Sequence, residues 1–346
     1  MTTIPLSPTV PGPGAAPIAR PSSLVVTPSV AGHRGASGYR PEHTLEAFRL
    51  ALASGVDDLE LDLVPTRDGH LVVRHDLELS LTTDVADRPD LAHLRRVREV
   101  DGARVAGWFV EDLTLAEVRT LRARERMILL RPGSAAYDGR FPVATLADVV
   151  ALVSDWRAAT GRDAGLLLEL KHVGHLRRAG LAPEELVLDA LRRHGLDHAR
   201  SRVSVMALEE EPLRRLADVT RVPLVRLLDR PEQVTREALA AVADYADGIG
   251  AAKHLLLGGR GDQVVRDAHR HWLTVRAWTL AAENRFLAPA FRTPAGAHRA
   301  GDLAGEAGHL LALGVDGLIT DHPDRVLAAR DRWVAQASGI STHAAR

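Results

Sequence analysis

The chain has no cysteine. That excludes a disulfide framework, a zinc–thiolate site and a thiol nucleophile. No apolar run approaches the roughly 18–20 residues that cross a bilayer, so stable membrane insertion is not expected. Neither sign of charge dominates: 44 basic residues face 45 acidic ones, for a net charge of −1. Without a basic excess, no nucleic-acid partner is expected. Ser37 and Ser204 lack a Gly-x-Ser-x-Gly context, and no Walker A or dinucleotide fingerprint is present, which argues against serine-hydrolase, P-loop and dinucleotide chemistry. The first 23 residues hold six prolines and no lysine. They have neither the charged start nor the continuous apolar stretch of a secretory signal. Residues 1–23 therefore read as a disordered, polyproline-leaning tail and residues 336–346 as a flexible C-terminal tail. A cytoplasmic location is the expectation.

At 346 residues the chain is long enough to bury a large core. Short apolar runs alternate with helical patterns along it. Eight candidate strands fall at 25–31, 57–64, 165–170, 202–206, 222–228, 248–250, 272–278 and 315–320. Between them, Thr44 is placed to cap a helix bearing Leu45, Phe48 and Leu52, which Gly55 closes. Thr145 similarly precedes Leu146, Val149, Val150 and Val153, with Gly161 after them, and Pro183 opens a helix that Gly195 stops. This alternation predicts an α/β fold, a (β/α)8 TIM-type barrel over residues 24–335, with a doubly wound open sheet as the rival.

Two segments break the repeat. A tight turn at 66–69 is followed at once by 71–75, too soon for a crossover helix, so 71–75 should fold back antiparallel on 57–64 as a hairpin extension. Residues 77–141 have no place in the alternation and read as an inserted cap segment. Within it, Arg119, Arg122, Arg124 and Arg126 read as a solvated helix face.

Polar residues cluster at the ends of the apolar runs. Glu60 and Asp62 lie two apart on a strand whose other face carries Leu59, Leu61 and Leu63, so both carboxylates share one face. Such a pair repels unless a cation lies between. Glu169, ending a run of leucines, supplies a third oxygen ligand for Ca²⁺ or, alternatively, Mg²⁺. Lys171, two residues on, can clamp a phosphate oxygen, and Arg34 presents a planar fork suited to the same group. His33 and His75 sit at strand ends near the carboxylates and are the acid/base candidates. Trp278 either lines the pocket mouth or packs in the core. Together these groups are the toolkit of a metal-assisted phosphodiesterase.

The segments 31–35, 41–48, 60–63, 68–76, 168–171, 246–250, 278–280 and 314–323 resemble the motifs of the glycerophosphodiester phosphodiesterases. His43, the stretch 83–88 and the stretch 245–250 resemble the calcium-dependent, periplasmic-type branch. The resemblance implies a TIM-type barrel, metal binding by Glu60, Asp62 and Glu169, acid/base catalysis by His33 and His75, and substrate contacts from Arg34, Lys171 and Trp278. It implies a supporting role for Glu42. The expected activity is hydrolysis of a glycerophosphodiester to sn-glycerol 3-phosphate and an alcohol. The alternatives are a lysophospholipase D- or phospholipase C-like lipid phosphodiesterase on the same barrel, a non-catalytic phosphate-binding relative, or a metal-dependent sugar isomerase.

Overall fold

A computed structural model of the chain describes residues 27–338 apart from Asp101. The expected N-terminal tail, 1–23, and residues 339–346 lie outside the described residues. The last helix, Pro323–Ala337, runs on through Gln336 and Ala337, where the C-terminal tail was expected to have begun.

Among the described residues there are eleven strands: β1 Ser29–His33, β2 Asp58–Pro65, β3 Leu71–Val73, β4 Arg96–Val100, β5 Ala103–Gly107, β6 Gly165–Leu170, β7 Val203–Ala207, β8 Leu224–Leu228, β9 Gly248–Ala252, β10 Thr274–Leu280 and β11 Gly317–Thr320. β1, β2 and β6 through β11 pair in parallel, and β1 meets both β2 and β11. That double pairing closes the sheet into an eight-stranded barrel and disposes of the open-sheet rival. β1 starts four residues later than expected, just after Pro28, which has no N–H to give to a ladder.

The period-2 alternation of the strands divides their side chains between two cores. Leu59, Leu61 and Leu63 of β2 and Leu166, Leu168 and Leu170 of β6 face outward onto the helices, where Phe48 and Val149 meet them in one large buried cluster. The intervening residues face into the barrel, which Ala31, Leu167, Met206, Val225, Leu227 and Ile319 fill. Parallel register then fixes the polar neighbours. His33 of β1 pairs with Glu60 of β2, and Asp62 of β2 with Glu169 of β6. Thr44 caps the helix Leu45–Ser54 through the N–H of Ala47, and Gly55 ends it in the left-handed region.

β3 returns antiparallel along β2, with Leu63 opposite Val73 and Val64 opposite Val72. The inserted segment follows, carrying an antiparallel β4–β5 ribbon and a small core of its own. There Leu77, Leu79, Val85, Phe109 and Leu121 pack against Val64 and Val72 of the hairpin. The arginines expected on a helix face are not on one. Helix Leu115–Val118 lasts one turn because residues 122–124 are extended instead. Their backbone bonds to residues 82, 84 and 141, including Arg124 N–H to the Thr82 carbonyl at 2.9 Å. Arg126 turns inward and is half-buried. Among the described residues no helix is long and apolar enough to cross a membrane.

Gly35 holds the turn that follows β1. Its φ is +86°, and a Cβ there would lie 2.6 Å from the Ala47 carbonyl carbon and 2.8 Å from the Phe48 nitrogen. Left-handed strain and a backbone clash therefore coincide. Gly35→Ala is expected to cost at least about 1–3 kcal/mol in urea denaturation; an unchanged midpoint would contradict this account of the turn.

Candidate active site

The C-terminal mouth of the barrel gathers the charged residues. Glu60, Asp62 and Glu169, all buried, each offer an oxygen within 4.8 Å of the other two. Burial, followed by the charges of Asp62 and Glu169, pushes the Glu60 carboxyl well above its ordinary range. Burial likewise raises Glu169 to about 7 against the pull of Lys171. Asp62 goes the other way: burial opposes its ionisation, but Arg34 and then Lys171 hold it well below the carboxylate range.

The two cations lie among these carboxylates. Arg34 Nε is 3.1 Å from Asp62, and Nη1 donates to Glu42 at 3.2 Å. Lys171 Nζ donates to Glu169 at 2.7 Å and lies 3.8 Å from Asp62. The Arg34 backbone N–H donates to Glu60 at 3.0 Å from a left-handed conformation, φ 56°. His33, Glu60, Glu169 and Trp278 line one cleft, together with Met206, Leu227, Thr279 and Ile319. Trp278 serves both of its sequence readings. It walls this cleft, packs on the barrel interior and donates its indole N–H to the Gly250 carbonyl at 2.8 Å.

The histidines are held alike. His33 Nδ1 lies 2.6 Å from Asp321 Oδ1, and its Nε2 faces Glu60 at 4.0 Å. His75 Nδ1 lies 2.7 Å from Asp76 Oδ1. In each, Nδ1 engaged by a carboxylate leaves Nε2 for a reacting group and fixes the ring. Burial lowers the His75 pKa, favouring the neutral ring. Glu42, the expected supporting residue, stands behind Arg34 and receives both Nε and Nη2 of Arg126, at 2.5 and 2.6 Å.

Sequence reasoning missed several members. His43 is buried, its Nε2 lying 3.2 Å from both the Asp62 backbone nitrogen and Asp62 Oδ2, and burial brings its pKa down to about 4, which favours the neutral ring. Asp321 stands just past β11, the same strand-end position that singles out His33 and Glu169, and Asp76 directly follows His75. Those signals were available. No local signal marks Arg126 or Arg131, which come from the insertion.

Three buried carboxylates with only oxygen donors suit a hard divalent cation. The orphaned oxygens support that fit, since neither Asp62 side-chain oxygen accepts a hydrogen bond. In the metal-free protein the raised carboxyls retain protons that the unfolded chain gives up. The contribution of Glu169 to stability is full below about pH 4.5 and is lost as pH rises through about 7, and that of Glu60, raised in the same direction, is lost on the same side. A bound cation takes the place of those protons. Ca²⁺ should therefore raise Tm more at about pH 8 than at about pH 5.5 in calorimetry, and equal shifts would contradict this assignment.

Comparison with known proteins converges on one group. The profile of the glycerophosphoryl diester phosphodiesterase family matches residues 33–325. A glycerophosphodiester phosphodiesterase of Arabidopsis thaliana is 28% identical over 320 residues, covering 84% of this chain and 82% of that protein. Its counterpart from Haemophilus influenzae is 30% identical over 260 residues, 65% of this chain and 69% of the other. An Oleispira antarctica phosphodiesterase solved with the product sn-glycerol-3-phosphate superposes with a TM-score of 0.63 at 20% identity, covering 88% and 97% of the two chains, and shows the same fold.

Proposed function

The chain belongs to the glycerophosphoryl diester phosphodiesterase family, and from that premise we propose that it hydrolyses glycerophosphodiesters to sn-glycerol 3-phosphate and an alcohol such as choline or ethanolamine. The observation that carries the reading is the placement of two carboxylate-held imidazoles at a mouth that also holds three buried carboxylates. Glu60, Asp62 and Glu169 would hold the cation. Ca²⁺ suits them, because Mg²⁺ dehydrates reluctantly and usually takes only one or two carboxylates. When bound, such a cation neutralises phosphoryl charge and eases loss of a proton from a nearby hydroxyl.

The remaining work falls to the chain's own groups. One imidazole, through Nε2, takes the proton of the substrate's own 2-hydroxyl as that oxygen bonds to phosphorus. The other gives a proton to the departing alkoxide as its P–O bond breaks. Water then opens the cyclic phosphate with the roles reversed, and both rings return to their starting states. Arg34 and Lys171, already at the triad, are the donors for the non-bridging phosphate oxygens. The Trp278 ring walls the cleft beside them.

His33→Ala and His75→Ala should each lower kcat by about 10²–10⁴ while calcium still binds, as isothermal titration would show. A diester without the neighbouring hydroxyl should be a poor substrate. Rapid turnover of such a compound would exclude the cyclic route.

A further inference from the structure

We propose that Arg126 and Arg131, the two ends of one turn in the inserted segment, are positioning residues for the two histidines and bring both into register from a single loop. The proposal rests on the catalytic reading of His33 and His75 given above.

Each arginine completes the same relay. Asp321 receives His33 and the Ser37 hydroxyl, at 2.6 and 3.0 Å, on Oδ1, and Arg131 Nη2 on Oδ2, at 2.5 Å. Asp76 receives His75 on Oδ1 at 2.7 Å and Arg126 Nη2 on Oδ2 at 2.8 Å. A carboxylate held through one oxygen can swing about its Cβ–Cγ bond and carry the imidazole with it. Held through both, it fixes ring plane and tautomer together. The two aspartates come from opposite ends of the sequence, one after β3 and one after β11. No barrel element connects them, whereas the turn does.

The arginines are anchored on their other sides. Arg131, 6% exposed, also donates to Glu283 at 2.6 Å and to the Ser37 carbonyl at 3.1 Å. Arg126 forks onto Glu42. Between them, Ile128 and Leu129 stand 55% and 89% exposed. The turn is therefore held by its two guanidinium ends and not by packing at its tip. The charges support the arrangement as well. Although burial opposes it, Arg131 and His33 keep Asp321 well below the carboxylate range, and His75 and Arg126 do the same for Asp76.

Complete removal of Arg131 would strand the buried Glu283, and that of Arg126 would leave the buried Glu42 with Arg34 alone, so the test uses Arg126→Lys and Arg131→Lys, which keep the charge and lose the fork. Each is combined with Asp76→Asn or Asp321→Asn, and glycerophosphocholine turnover, calcium affinity and Tm are measured. Each lysine variant should lose about 10–100-fold in kcat with KM and calcium affinity within about twofold. Within one relay the double variant should fall no lower than its Asp→Asn parent. Across relays, Arg131→Lys with Asp76→Asn, the losses should multiply. Multiplicative losses within a relay, an unchanged kcat, or calcium affinity falling in step with kcat would overturn the proposal. If the wild type fails to turn over the diester while binding calcium, the functional reading falls, and the inference falls with it.

Discussion

Three buried carboxylates within 4.8 Å of one another cannot all ionise unless positive charge stands between them, and the mouth of this barrel is arranged around that constraint. Parallel register forces the crowding. Pairing Asp62 with Glu169, two positions along β2 from Glu60, places all three side chains on the inward face. Without a cation the protein distributes the strain unequally. Arg34 and Lys171 keep Asp62 ionised, while burial leaves Glu60 and Glu169 prone to hold protons. A divalent ion held by the three would relieve the repulsion. The groups that compensate Asp62 then stand next to the place where a phosphate would sit, already aimed inward.

Around this centre the molecule separates scaffold from adjustment. The barrel delivers His33, the triad, Trp278 and Asp321 on strands or just past them, where backbone pairing leaves little freedom. The hairpin delivers His75 and Asp76, with the Arg74 N–H bonded to the Asp62 carbonyl at 3.0 Å. The insertion, with its separate core on Val64 and Val72, reaches back across the mouth with arginines. The carboxylates that hold the two imidazoles are thus contacted both by the barrel's own strand ends and by arginines of the insertion.

Most of the scaffold was legible in the sequence because period-2 leucines, threonine caps and glycine stops are local signals. Leu59, Leu61 and Leu63 marked the outer face of β2 and so placed Glu60 and Asp62 inside. Thr44, Thr145 and Pro183 marked helix starts that the structure shows. What stayed hidden was long-range. Arg126 sits in an arginine-rich stretch whose spacing imitates a helix face, and only tertiary pairing of residues 122–124 with residues 82, 84 and 141 reveals otherwise. Asp321 lies 288 residues from the histidine it holds. His43 stood out only as a mark of the calcium-dependent branch, and its contact with the Asp62 amide is made from a left-handed backbone at His43 itself.

The most direct test of the account follows glycerophosphocholine by ³¹P NMR with the chelated protein, before and after Ca²⁺ is restored. No turnover is expected after chelation, and release of sn-glycerol 3-phosphate is expected once Ca²⁺ returns. Equal turnover in the presence and absence of the cation would contradict the role given to Glu60, Asp62 and Glu169.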